Sequence, residues 1–124
     1  MKYIHTEKAP NPAGHYTQAI VSGGFVYVSG QLPLDPSGGK IKTSIEEQTH
    51  QVLDNLEAIL IGSGSSLQHV VKSTVYISDI SLWTKVNEIY ATRFGDHKPA
   101  RAMVPTRELH FGCFLEIDAV AEVE

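Results

Sequence analysis

The chain has 124 residues, 42% hydrophobic and 19% charged, the balance of one globular domain spanning residues 1–124. No run approaches the ~20 apolar residues of a membrane span, "MKYIHTEKAPNP" carries neither a signal-peptide core nor an Arg-rich transit pattern, and the lone Cys113 excludes an internal disulfide, so a cytoplasmic location is expected. The net charge of −4 leaves no basic nucleic-acid footprint overall, so any RNA role would need a local patch.

Residues 17–22 (TQAIVS) and 25–30 (FVYVSG) are β-rich and flank Gly23-Gly24, which predicts a hairpin; "LDPSGGK" then reads as a turn. Over 44–61, Ile45, Thr49, Val52, Leu53, Leu56, Ile59 and Leu60 recur at helical spacing. Ser44 and Glu47 are placed as a capping box, and Gly62 is placed to stop the helix. A strand is predicted at 70–78 (VVKSTVYIS). A second helix is predicted over 81–94, with Leu82, Val86, Ile89, Tyr90 and Phe94 on one face before Gly95. Two further strands are expected near 100–105 and 114–123, and no repeat or linker interrupts the series.

The resulting β-β-α-β-α-β-β order is α+β, and two helices cover only one face of a sheet of five or six strands. In the last strand Leu115, Ile117, Ala119, Ala121 and Val123 suit the helix side, while Phe114, Glu116, Asp118 and Val120 share the other. That second face mixes aromatic, aliphatic and polar residues as a subunit interface does, and a homo-oligomer is inferred. In "KPARAMV" (98–104) a single arginine, Arg101, interrupts what otherwise reads as a buried strand. A guanidinium there needs opposite charge and hydrogen-bond acceptors. From its context alone a structural Glu or Asp serves as well as a ligand carboxylate.

Laid end to end, several segments resemble the reactive intermediate deaminase family (Rid, or YjgF). "APNPAGHYTQAI" is similar to its amino-terminal AP-x-x-x-GPY-x-Q, "YVSGQLPLDPSGG" to its SGQ(I/L)P hairpin, and "EEQTHQVLDNLEAIL" to its first helix. "VVKSTVYISDISLWTKVNEIY" resembles its next strand and helix, "KPAR" its PAR motif, and "LEIDAVA" its terminal strand. The resemblance covers nearly the whole chain. It implies a chorismate-mutase-like α+β fold, a mixed and mostly antiparallel sheet with two helices on one face, and a homotrimer with sites in clefts between subunits. It also implies cofactor-free hydrolysis of enamines and imines, such as 2-aminoacrylate and 2-aminocrotonate released by pyridoxal-phosphate-dependent dehydratases, to 2-keto acids and ammonia.

By that resemblance Arg101 binds the substrate carboxylate and Glu116 orients or activates water. Tyr16 reaches over the cleft from a neighbouring subunit, and Ser29 and Asn87 line it. Each has an ordinary alternative: Glu116 as an interface charge, Tyr16 as aromatic packing, Ser29 and Asn87 as local hydrogen-bonding groups. Asp118 is a weaker candidate. Cys113 lacks a His and Asn or Asp constellation, and the six histidines form no H-x-H or H-E-x-x-H cluster, so neither a thiol nucleophile nor a metal is assigned. "GSGSS" follows a helix instead of opening one, which is the wrong end for a phosphate.

Three departures from the family pattern bear on the substrate. Met103 replaces the cysteine beside the cleft, Pro105 removes a backbone donor, and His15 stands where proline is usual. A softer, bulkier wall at Met103 suggests larger or more apolar 2-imino acids. The readings that compete with a deaminase are a ligand-binding or regulatory trimer without turnover and a ribonuclease or chaperone-like protein.

Overall fold

The computed structural model describes residues Met1–Glu124. Strands β1 (Lys2–Ile4), β2 (Ala19–Ser22), β3 (Phe25–Gln31), β4 (Val70–Ile77), β5 (Ala100–Pro105) and β6 (Leu115–Glu122) form one sheet in the order β1-β2-β3-β6-β4-β5. Helices α1 (Ile45–Gly62) and α2 (Trp83–Phe94) supply the second layer. Only the β4–β5 pair is parallel. This is the mixed, mostly antiparallel α+β sheet expected, with six strands.

The β2–β3 hairpin turns where expected, because Gly23 and Gly24 both adopt positive φ (60° and 84°), as a two-residue turn with the twist of the flanking strands demands. Strand β1 adds an element that the sequence pattern does not predict. Its three residues carry no periodicity of their own and are strand only because they pair with β2. Helix α1 begins at the predicted cap: the Ser44 hydroxyl accepts from the Glu47 amide at 3.1 Å and lies 3.1 Å from the Glu47 carboxylate. Its stop lies two residues past the one expected. Gly62 is still helical, and the chain reverses at Gly64 (φ 80°), where the Gly64 amide donates to Ile61 O and the Ser65 amide to Leu60 O. Helix α2 starts later than predicted because Ile80–Leu82 winds as a 3₁₀ turn, with the Asp79 side chain accepting from the Ser81 amide.

One apolar cluster fills the space between the layers: Val52, Leu56, Ile59 and Leu60 of α1 and Val86, Tyr90 and Phe94 of α2 meet Val26, Val75, Ile77, Leu115 and Ile117 of the sheet. Each such side chain contributes roughly 1.5–3 kcal/mol on burial. The β6 alternation holds: Leu115, Ile117, Ala119 and Ala121 are buried, while Glu116, Asp118 and Val120 point to the opposite face. Across that face the register sets Tyr3, Ile20, Tyr27, Val120 and Lys72 side by side. Neither helix covers it, and Tyr3 and Tyr27 are 71% and 50% exposed.

The reading of residues 98–104 as a buried strand is corrected. β5 is an edge strand with one neighbour, and its Ala100, Val104 and Pro105 are exposed. Apolar composition does not distinguish an edge from a centre, because the number of neighbours is decided by the rest of the sheet.

Candidate functional site

The candidate residues fall into two clusters on opposite faces of the sheet. On the helix side, Arg101 of β5 lies beside Ser73 of β4, whose buried hydroxyl is 2.6 Å from the Tyr90 hydroxyl of α2. Arg101 Nη1 donates to Asn87 Oδ1 at 2.9 Å, so these two candidates do come together. The guanidinium carbon stands 4.8 Å from the Tyr90 ring centre and 5.6 Å from that of Trp83, within cation–π range of both. These contacts hold the guanidinium plane without neutralising it. No carboxylate of the chain pairs with Arg101, whereas Arg93 is tied to Asp54 and Glu57. A concavity of about 440 Å³ opens over Arg101, Asn87 and Tyr90, with Lys98 and His97 at its margin.

Met103 lies two residues further on the same face and packs partly buried against the core cluster. It lines neither this concavity nor the one around Glu116.

The second cluster lies on the uncovered face. Glu116 of β6 stands opposite Tyr76 of β4 and shares a concavity of about 430 Å³ with Tyr16 and Ser29. A bulge in β3 shapes it, since Ser29 and Gly30 together oppose the single position of Asp118. Gly30 is needed there: a Cβ on it would overlap the Glu116 carboxylate, whose Cδ would be 3.1 Å away. The Ser29 hydroxyl donates to Thr17 O at 2.6 Å, which leaves its lone pairs to accept a hydrogen bond from a ligand. Tyr16 is half-exposed, and its hydroxyl accepts from the Ala13 amide at 3.2 Å.

Burial pushes the Glu116 carboxyl above the usual glutamate range, and the Asp118 carboxylate adds to the shift, while His110 opposes it. Asp118 is engaged by the Tyr76 hydroxyl at 3.2 Å. Burial also pushes the Cys113 thiol up, so it stays protonated. A protonated, buried thiol is a poor nucleophile.

Buried amides fix the walls. Asn55 donates to both Leu32 O (3.0 Å) and Leu34 O (2.8 Å), holding the loop whose leucines line the Glu116 concavity. Gln48 accepts from the Phe114 amide at 2.8 Å, anchoring the chain two residues before Glu116. Gln18 holds residues 6–10 through the Thr6 amide and the carbonyls of Thr6 and Pro10, which sets the path leading to Tyr16.

Among the contributors that a reading of the sequence alone does not assign are Trp83, Gly30, His110 and Phe111. A glycine within a strand pattern is a signal of close approach, and "SGQ" carries it. His110 and Phe111 share only the loop motif "HFG", whose aromatic residue sits directly before a glycine.

A model of the family described as endoribonuclease L-PSP matches residues 6–123. A RutC family protein of Pyrococcus horikoshii is 48% identical over 122 residues, which cover 98% of this chain and 97% of that one. Two solved structures superpose along the full fold. RidA from the Antarctic bacterium Psychrobacter sp. has a TM-score of 0.96 at 36% identity, covering 99% of this chain and 100% of that one. E. coli TdcF with bound serine has a TM-score of 0.95 at 34% identity, covering all of both chains.

Proposed function

The chain belongs to the endoribonuclease L-PSP family, also known as YjgF/Rid, and on that premise we propose that it hydrolyses reactive 2-imino acids and their enamine tautomers to 2-keto acids and ammonia. The observation that carries the reading is Arg101, a half-buried guanidinium aimed by Asn87, Tyr90 and Trp83 and given no acid of its own chain. Its planar donor edge fits a carboxylate in two parallel hydrogen bonds. The serine bound in the E. coli neighbour has the same carboxylate and α-nitrogen that a 2-imino acid presents.

Arg101 and Glu116 cannot serve one small molecule within a chain, because the sheet lies between them. The proposal therefore places each site between copies, with Arg101 and Asn87 from one and Glu116, Ser29 and Tyr16 from the next, in a homotrimer closed over the uncovered face. Arg101 holds the carboxylate. Water accepted by Glu116 adds to C2: the new C–O bond forms as the C=N π pair moves to nitrogen, and the water proton passes to the glutamate. The glutamic acid returns that proton to nitrogen and then, as a carboxylate again, relays the hydroxyl proton to nitrogen, while the oxygen lone pair closes the keto group, the C–N bond pair passes to nitrogen and ammonia leaves. Water is the only co-reactant. A carboxyl raised by burial suits both halves of this exchange, being more basic than an ordinary glutamate and readily regenerated.

The family's description raises ribonuclease as the second reading. The Glu116 and Asp118 carboxylates on the uncovered face disfavour a phosphodiester backbone there. The test is to release 2-aminoacrylate and 2-aminocrotonate in place with a pyridoxal-phosphate-dependent dehydratase and follow imine loss with and without the protein. Loss at the spontaneous rate, for these and for larger 2-imino acids alike, overturns the hydrolase reading.

A further inference from the structure

Phe111 is the one non-glycine residue of the chain at positive φ (φ 61°, ψ 16°), a conformation bulky side chains rarely adopt. Packing within the chain does not explain it, since the residue is 55% exposed. Its ring packs edge-on against His110 at 4.0 Å and forms one wall of the Glu116 concavity. Leu32 and Leu34 form another, held by the two hydrogen bonds from Asn55. The concavity is thus divided: Glu116, Ser29 and His110 supply polar atoms, and Phe111, Leu32, Leu34 and Tyr16 supply apolar surface.

The reacting groups of a 2-imino acid are all polar. Its carboxylate, its C=N carbon and the attacking water use Arg101, Glu116 and Ser29, so the apolar wall meets none of them. Only the substrate side chain is left to contact it. We infer that Phe111, with Leu32 and Leu34, forms the pocket for the substrate side chain and selects 2-imino acids carrying branched or aromatic apolar groups over the shortest ones. The inference rests on the hydrolase reading above. A backbone held in an unfavourable conformation presents the ring to the cavity, and a rigid aromatic face recognises apolar bulk with little loss of side-chain freedom.

The test uses 2-imino acids generated in place by an amino-acid oxidase from alanine, leucine and phenylalanine, and compares kcat/KM above spontaneous hydrolysis for the unaltered protein and for Phe111→Ala and Phe111→Gly. The expected result is a higher kcat/KM for the leucine- and phenylalanine-derived imines. Their advantage over the alanine-derived imine should fall about tenfold or more in both variants. Phe111→Gly should melt no lower than the unaltered protein, because glycine accepts the positive φ freely. A ratio that moves less than about twofold in folded variants overturns the assignment. Titration calorimetry with pyruvate and 4-methyl-2-oxopentanoate separates the two readings. Preferential binding of the larger keto acid, lost in Phe111→Ala, without turnover of any imine, sinks the hydrolase and keeps the pocket; turnover without side-chain preference does the reverse.

Discussion

Gly30 and Glu116 are packed so closely across the β3–β6 pair that a single methyl group on the glycine would occupy the space of the carboxylate. The atoms it would meet are the far end of a side chain, so Glu116 can rotate away and the fold need not yield. Gly30→Ala should therefore keep a melting temperature within a few degrees of the unaltered protein while lowering kcat by on the order of 10²-fold, as a roughly 1 Å misplacement does. Unchanged turnover in the folded variant would mean that the position of Glu116 does not matter.

Glu116→Gln keeps shape and hydrogen bonding and removes the base, so ligand binding should persist while hydrolysis slows by about 10²-fold. Only the ionised carboxylate accepts the proton of water, so turnover should decline as pH falls through the Glu116 pKa. Burial raises that pKa and Asp118 raises it further, which sets the acid limb above the ordinary glutamate range. Asp118→Asn removes the second cause and should move the limb to lower pH. The sign for stability is opposite: between the unfolded and the raised folded value the native state binds more protons, so this group's contribution is full below the unfolded pKa and is lost as pH rises through the folded one. The melting temperature of Glu116→Gln should accordingly gain on that of the unaltered protein from acid to neutral pH, which calorimetry across pH checks.

Arg101→Lys retains the charge but loses the planar fork and its seat between Asn87 and Tyr90. With one prong of a bidentate pair gone, kcat/KM should fall about 10- to 100-fold and 2-oxobutyrate should bind more weakly. Thermal melting on the same preparation should change little, because no acid of the chain is stranded. An active enzyme that melts early would make Arg101 a structural ion-pair partner.

Light scattering should report three times the 13.6 kDa of one chain. Tyr27→Lys, which sets a charge in the row of Tyr3, Ile20, Tyr27 and Val120, should break the assembly and abolish turnover together. A monomer of either protein that hydrolyses imines would contradict sites shared between copies.

Much of the fold is legible locally. The Gly23-Gly24 turn, the Ser44 cap, the α1 stripe and the β6 alternation are each decided by neighbours a few residues away, and each appears where the sequence places it. What escapes depends on distant partners. β1 exists through β2, β5 is an edge because nothing lies beyond it, and the helix stop moves to Gly64 because that residue, not Gly62, takes positive φ. At the site, Arg101 and Glu116 are visible through motifs. Their separation by the sheet is visible only through register: Arg101 beside Ser73, and Glu116 beside Tyr76 three residues along the same strand.

On the proposed sharing of sites between copies, each chain carries two incomplete halves, so damage to one half should be rescued by a neighbour damaged in the other. If Arg101→Lys and Glu116→Gln chains are unfolded together and refolded in equal amounts, random closed rings should contain about one site in four built from an intact arginine and an intact glutamate. The mixture should recover roughly that fraction of activity, although each parent alone retains about a tenth or less. By the same logic a cell carrying one defective copy of the gene would lose sites in proportion to how its chains mix, and the two classes of lesion would behave as alleles that complement each other and not themselves.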